Sequence, residues 1–305
     1  MLIEANILSL SDRQDIRVTL LDAFTNSVFS VRTDHTTLVV KYFAAGDLHR
    51  AQTEYRVMSY LRNTKRAARP VKLITNAVGD AYTLLVSAYV PGRSMRDFNP
   101  SHDALHQAIN TFLGLGMPQI GKIAGLAPAK MNPCHPEGML PLLTVLAERC
   151  MPRQDTREMY QAALRATQWI SGICTKEDWA ELRPTLCHGD PGLNNVLNTP
   201  DGHVVAVDWE DAGWGDPTCE LAKALLHRAN QKHIPQLKQL IATSEFCLAR
   251  PVQLQTRLSF YLKAIPICLL FRRIDRIHHA LDHDHKQELV DNLDRASSIV
   301  RQFEV

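Results

Sequence analysis

The sequence predicts an α+β protein of two lobes: a small N-terminal sheet lobe with one helix, and a larger, mainly helical C-terminal lobe. Three observations predict it. Strand signals dominate before Pro91-Gly92, helical periodicity dominates after it, and a chain of 305 residues is long enough to build two compact bodies. The division falls between residues 1–90 and 91–305.

In the first lobe, "SVFSVRT", "TTLVVKYF" and "AYTLLVSAYV" are rich in Val, Thr, Tyr and Phe and bounded by turn residues, the marks of strands. Between the second and third lies "DLHRAQTEYRVMSYLRN", where Leu48, Ala51, Tyr55, Met58 and Leu61 recur at the spacing of one helix face. The order reads strand, strand, helix, strand. Lys41 sits among apolar neighbours in "LVVKYF", so its ammonium must pair or reach solvent. Glu54, beside the apolar stripe of the helix, is placed to be its partner.

The second half offers helices at "HDALHQAINTFLGL", "REMYQAALRATQWISGIC", "DPTCELAKALLHRAN" and through much of Leu254 to Phe303. One segment reads differently: "CHGDPGLNNVLNTPDGHVVAVDWEDAG", Cys187 to Gly213. Asn195-Val196-Leu197 and Val204 to Val207 are two short strands joined by the turn residues "NTPDG". His188 to Leu193 is then the loop before a hairpin, and Asp208 lies at its exit. The hairpin brings Asn195 and Asp208 to the same end of its ladder.

Phosphoryl transfer from a nucleotide asks for a carboxylate near the acceptor hydroxyl and for oxygen ligands to a metal that neutralises the phosphates. Asp190 can supply the first, and Asn195 and Asp208 the second. Two protein oxygens together with phosphate oxygens suit Mg2+, which takes few protein ligands and keeps waters.

His188-Gly189-Asp190, Asn195 and the following "VDWE" resemble the aminoglycoside phosphotransferase and choline kinase superfamily, relatives of the protein kinases; H-G-D-x-x-x-x-N is matched at every defined position. The resemblance implies a two-lobed protein-kinase-like fold with an antiparallel N-terminal sheet. It implies Asp190 as catalytic base, Asn195 and Asp208 as Mg2+ ligands, and a structural role for His188. Lys41 becomes the lysine that holds the phosphates of ATP or GTP, with Glu54 its helix partner. "GDPTCELA" resembles the family's G-D-P-x-x-D-L-A helix start, with Glu220 in place of Asp, which makes Asp216 a support residue. "LVSAYVPGRSM" resembles the hinge, where backbone groups near Ala88 and Val90 meet the adenine. The resemblance covers residues 20 to 95 and, more closely, 185 to 225.

One stretch departs from the family. Its Gly-rich turn over the phosphates is here "LLDAFTNSVFSV", without glycine. Thr25 and Ser27 hydroxyls can face phosphate oxygens, but bulkier residues restrict backbone approach, so weaker nucleotide binding or an inactive kinase-like regulator stays open as an alternative. Protein-kinase activity is disfavoured: HGD and DWE stand where HRD and DFG would, and no APE-like segment follows.

The acceptor implied by the resemblance is a hydroxyl of a small molecule: an aminoglycoside or other antibiotic, as in antibiotic resistance, or choline, ethanolamine, thiamine, a sugar or homoserine. Glu210 and Asp211, with Asp178 and Glu181 before the loop, either attract a cationic acceptor or are surface charges.

Other classes are less well supported. A net charge of +2 carries no signature of nucleic-acid binding. The N-terminal "MLIEANILSLSDRQDIRV" lacks the basic start and apolar run of a secretory signal, and the longest oily run, "AIPICLLF", is short for a membrane span. Seven scattered cysteines without a CxxC pair suit reduced thiols in a cytoplasm, with Cys187 a packing residue. His278, His279, His283 and His285 in "RIHHALDHDHK" read as a solvated helix end rather than a zinc site. The expectation is a cytoplasmic monomer or homodimer without nucleic-acid or membrane partners.

Overall fold

The computed structural model describes residues 16–21, 27–77, 82–114, 123–150, 152, 154–174, 179, 183–243 and 251–279. By contact the chain forms two compact units. The first comprises Met1–Lys130, Leu186–Gly213 and Arg228–His233; the second comprises Met131–Thr185, Trp214–His227 and Ile234–Val305.

The first unit is built on a five-stranded antiparallel sheet: β1 (Arg17–Leu21), β2 (Ser27–Arg32), β3 (Thr37–Ala44), β4 (Pro70–Ala77) and β5 (Tyr82–Ala88), in the order β1-β2-β3-β5-β4. Helix α1 (Leu48–Leu61) follows β3 and buries Ala51, Met58 and Leu61 of the expected stripe together with Glu54 and Val57, whereas Leu48 and Tyr55 are only half-buried, so the buried face is rotated towards Glu54. Strand alternation sends Leu38, Val40, Leu84 and Val86 into one apolar cluster, while Lys41, between Val40 and Tyr42, turns to the face that carries α1.

The two edge strands are additions to the sequence reading. β1 is almost wholly exposed, so the burial pattern that marks a strand is missing from it. β4 starts with Pro70, which an edge tolerates at the first strand position, and its pairing to β5 is interrupted by two register shifts.

Helix α2 (His102–Phe112) starts where Ser101 Oγ accepts the Ala104 N–H at 3.2 Å, a capping bond that satisfies one of the free first-turn donors. A second sheet has the order β6-β8-β9. Its strand β6 (Arg93–Ser94) comes early in the chain; after β7 (Thr185–Cys187) and the loop it leads into come β8 (Val196–Asn198) and β9 (Val204–Ala206). The register Val196↔Ala206, Leu197↔Val205, Asn198↔Val204 is the hairpin expected from sequence. The last strand, β10 (Gly213–Gly215), leads towards the second unit's helices.

The second unit contains α3 (Met139–Arg149), α4 (Arg157–Cys174), α5 (Pro217–Leu226), α6 (Ile234–Thr243) and α7 (Pro251–His279). Helix α7 is its axis, with α3, α4 and α5 packed along it. Met139, Leu143, Ile170, Phe260, Ile265 and Phe271 are at most 2% exposed, and each such side chain contributes about 1.5–3 kcal/mol by leaving water. Within α7, Leu254–Arg276 is long and apolar enough by length and composition to cross a membrane. The eight-residue oily run noted in the sequence is only its centre. Phe260, Tyr261, Ala264, Ile265, Ile267 and Phe271 of this helix are buried in the unit's core, which accounts for its apolar character.

Candidate active site

The loop after β7 is fixed from several directions. His188 is fully buried, its ring edge-on to Phe112 at 5.2 Å and 4.5 Å from Trp209. Its Nε2 lies 2.9 Å from the Val207 carbonyl, which can only accept, so Nε2 carries the proton; Nδ1 then accepts the Asp190 N–H at 3.4 Å. One neutral imidazole thus ties Asp190 to the residue before Asp208. Gly189 adopts φ +87°, and a Cβ there would lie 1.9 Å from the Asp211 carbonyl oxygen. Only glycine fits.

Asn195 is 5% exposed. Its Nδ2 donates to the Asp190 carboxylate at 2.9 Å and to the Asp190 carbonyl at 3.0 Å, while its Oδ1 accepts from Asn194 at 2.8 Å. The Val207 N–H reaches the Asn195 carbonyl at 2.9 Å, extending the ladder one step beyond the paired strands. Asp208 follows in the left-handed conformation, φ 66° and ψ 54°. Aspartate tolerates that region better than most residues, and such backbone gathers at functional sites.

Lys41 is the centre of an acidic cage. Its ammonium donates to Glu54 at 2.8 Å and to Asp208, and pairs with Glu210 at 2.9 Å. Burial pulls the lysine pKa down, but Glu54, Asp208 and Glu210 outweigh it and hold the group above the ordinary lysine range. Burial pushes Glu54 up; Lys41 works against that, and Asp208 and Glu210 add to it. The second Glu54 oxygen accepts the Trp209 N–H at 3.3 Å. Arg50, one turn before Glu54 on α1, pairs with Glu210 and Asp211, and Asp211 also meets Lys130.

These groups converge on a cavity of about 440 Å³. Lys41, Glu54, Asp190, Asn195 and Asp208 line it, with an apolar part made by Leu21, Val28, Val39, Met58, Leu85 and Leu197. The volume is that of a small-molecule site. Ala88 and Val90 border it as the sequence suggests, but the Ala88 N–H already donates to Arg69 O at 2.9 Å and that of Tyr89 to Thr37 O at 3.2 Å.

The donor set fits a hard divalent cation. Asn195 Oδ1 and the Asp208 carboxylate would supply oxygen ligands at one cavity; the Asn195 amide nitrogen is turned to Asp190, so the oxygen, which also accepts from Asn194, is the atom a cation would use. The carboxylates of Glu54, Asp208 and Glu210 also lie within 4.8 Å of one another, but the Lys41 ammonium contacts all three and balances their charge.

Other residues fall elsewhere. Ser27 opens β2, is exposed and is not among the cavity residues; Thr25 lies outside the described residues, as do Asp178, Glu181, His283 and His285. Glu210 and Asp211 stand against the protein's own cations, Lys41, Arg50 and Lys130. Asp216, in the second unit, is buried at the N-cap of α5, where it accepts the Thr218 N–H at 2.8 Å, Arg257 at 2.6 Å and the Tyr261 hydroxyl at 2.9 Å. Glu220 nearby accepts from Asn132 at 3.1 Å. His278 and His279 end α7.

Four contributors escape a reading of the sequence: Arg50, Lys130, Ser94 and Asn230. Only Arg50 leaves a signal, since it precedes Glu54 by four residues and so shares its helix face.

The sequence model of the Phosphotransferase enzyme family matches residues 17–253. A search of curated protein sequences finds no match. Among solved structures, a thermostable mutant of aminoglycoside phosphotransferase APH(4)-Ia, in ternary complex with AMP-PNP and hygromycin B, is similar with a TM-score of 0.66 at 16% identity, over 99% of this chain and 97% of that one. The choline kinase LicA from Streptococcus pneumoniae gives 0.61 at 15% identity, over 99% and 98%. LicA in complex with AMP gives 0.59 at 16%, over 98% and 95%. At such identities the likeness is one of fold, and it is the α+β, protein-kinase-like fold that the sequence predicts.

Proposed function

Because the chain belongs to the Phosphotransferase enzyme family, we propose that it transfers the γ-phosphoryl group of ATP or GTP to a hydroxyl of a small molecule, with Asp190 as the catalytic base. The observation that carries this reading is the convergence of Asp190, Asn195, Asp208 and the Lys41–Glu54 pair on one cavity. AMP-PNP and hygromycin B in one similar structure, and AMP in another, support a nucleotide and a small-molecule acceptor.

In this reading the apolar part of the cavity takes the base, beside Ala88 and Val90. Lys41 exchanges part of its carboxylate cage for phosphate oxygens. Asn195 and Asp208 hold Mg2+, which supplies charge neutralisation at the phosphates. The Asp190 carboxylate, oriented by Asn195 and by the His188 contact to its backbone, accepts a hydrogen bond from the acceptor hydroxyl and takes its proton during transfer. Positioning and charge complementarity account for most of the acceleration. Aminoglycosides and amino alcohols are the acceptor classes that the similar structures favour.

The test is Mg2+-dependent ADP or GDP release from ATP and GTP against aminoglycosides, amino alcohols, sugars and nucleosides, with Asp190→Ala measured alongside. We expect one acceptor class to stimulate release, and the variant to turn over about 10²-fold more slowly or worse, as for a lost general base. Unchanged turnover in Asp190→Ala would remove this residue from the chemistry. Nucleotide binding without any Asp190-dependent release would favour a noncatalytic regulator.

A further inference from the structure

Asn230 is fully buried, 40 residues beyond Asp190, in the turn of 3-10 helix Arg228–His233 that belongs by contact to the first unit. Its carboxamide is used at both ends on one stretch of backbone. Oδ1 accepts the Leu193 N–H at 2.7 Å and Nδ2 donates to the Pro191 carbonyl at 2.9 Å. Both distances are those of good hydrogen bonds. The two peptide groups lie between Asp190 and Asn195, the proposed base and metal ligand.

This arrangement differs from ordinary burial of a polar side chain. An amide that donates and accepts along one strand of backbone copies the pairing of a neighbouring β-strand, and it fixes the separation and tilt of the peptides that it joins. Local bonds complete the loop: Gly192 N–H to Asp190 O and Asn195 N–H to Gly192 O, both at 2.8 Å. No other side chain is bonded to two backbone groups of residues 191–193 among the described contacts.

We propose that Asn230 is a positioning residue for phosphoryl transfer, holding Pro191–Leu193 so that Asp190 and Asn195 face the cavity at a fixed separation. This inference rests on the phosphotransferase reading above. Asn230 does not line the cavity, so it acts through the loop and not on a substrate. Its removal should therefore slow the chemical step while leaving nucleotide affinity, carried by Lys41 and the apolar wall, nearly intact.

The experiment compares wild type, Asn230→Ala, Asn230→Asp and Asp190→Ala in ADP release from MgATP, alone and with hygromycin B or choline added. Folding is followed by circular dichroism and nucleotide affinity by calorimetry with MgATP. Asn230→Asp keeps an acceptor for Leu193 N–H but sets a carboxylate oxygen against the Pro191 carbonyl, and it is nearly isosteric, so it guards against a cavity effect in the alanine variant. We expect kcat to fall by about 10- to 100-fold in both, as for a catalytic group misplaced by an ångström or less, with the MgATP dissociation constant within about threefold of wild type. A folded Asn230→Ala with wild-type kcat would overturn the proposal. So would kcat and affinity lost in the same proportion, which indicates a merely structural role. Absence of Asp190-dependent release in the wild type would instead sink the phosphotransferase reading, and this inference with it.

Discussion

The two halves of the candidate site are held by opposite means. Around Lys41 the order is ionic: three carboxylates on one buried ammonium, with Arg50 fixing Glu210 from behind. Around Asp190 it is largely neutral: a histidine, two asparagines and a serine bond to backbone groups, and a glycine admits close approach. Under the proposed function, the difference follows from what each half would have to do. A lysine that meets phosphates has to exchange partners when a nucleotide arrives, and ion pairs with excess carboxylate make that exchange nearly balanced. A base that accepts one proton in a fixed direction needs a loop that does not rearrange. Neutral bonds to backbone supply direction without a competing charge.

The comparison breaks most visibly at Lys41. Lys41→Met leaves Glu54 buried without its cation, while Glu210 keeps Arg50, and losing one partner of a buried ionic group costs about 3–5 kcal/mol. Urea denaturation should show that loss, and the loss should depend on pH. Burial already raises Glu54, and without Lys41 nothing comparable draws it back, so in the variant Glu54 titrates further above its unfolded value. A carboxyl whose folded pKa is raised binds more protons folded than unfolded, so stability falls as pH rises through that window. The penalty should thus be smallest near pH 5 and largest near pH 8. A penalty independent of pH would mean that the cage is solvated. Gly189→Ala attacks the neutral half. A left-handed alanine costs about 1–2 kcal/mol and a crowded Cβ about 1–3 more, so we expect a loss of about 2–5 kcal/mol by the same assay.

The same contrast explains how much was legible in the sequence. Ionic and periodic features announce themselves: Lys41 inside a valine run, Glu54 beside the stripe of α1, and the strand-turn-strand of 196–206 that brings Asn195 and Asp208 to one end of the hairpin. Helix α4 spans the very residues, Arg157 to Cys174, that its periodicity marks. Edge strands β1 and β4 were hidden because an exposed edge imposes no alternation. Helix α3, "MLPLLTVLAER", is apolar on more than one face and carries no clear stripe. The sequence predicts Asn230 as the tail of a helix begun at Asp216, whereas α5 stops at Leu226. A carboxamide that pairs with distant backbone follows no spacing rule, since its partner is a peptide group and every residue has one. The pairing of Lys130 with Asp211, 81 residues away, is invisible for a related reason: a charged residue in a loop looks the same in sequence whether its partner is water or protein.

The smallest effect tests whether the neutral half is one unit or a set of separate bonds. Ser94 Oγ donates to the Leu193 carbonyl at 3.3 Å and accepts the Arg96 N–H at 3.4 Å, both long for hydrogen bonds. Ser94→Ala removes the bond to the Leu193 carbonyl, in the peptide group that follows the one whose N–H Asn230 holds. A single neutral hydrogen bond is worth about 0.5–1.5 kcal/mol, and the length of this one places it at the lower end. We expect a kcat within about threefold of wild type, given that an energy of 1.4 kcal/mol corresponds to tenfold and this bond is weaker. The informative quantity is the double variant with Asn230→Ala. If the two losses multiply in kcat, each bond restrains the loop independently. If the double variant is no slower than Asn230→Ala, the serine contact depends on the asparagine having set the loop first, and the neutral half acts as a single positioned element.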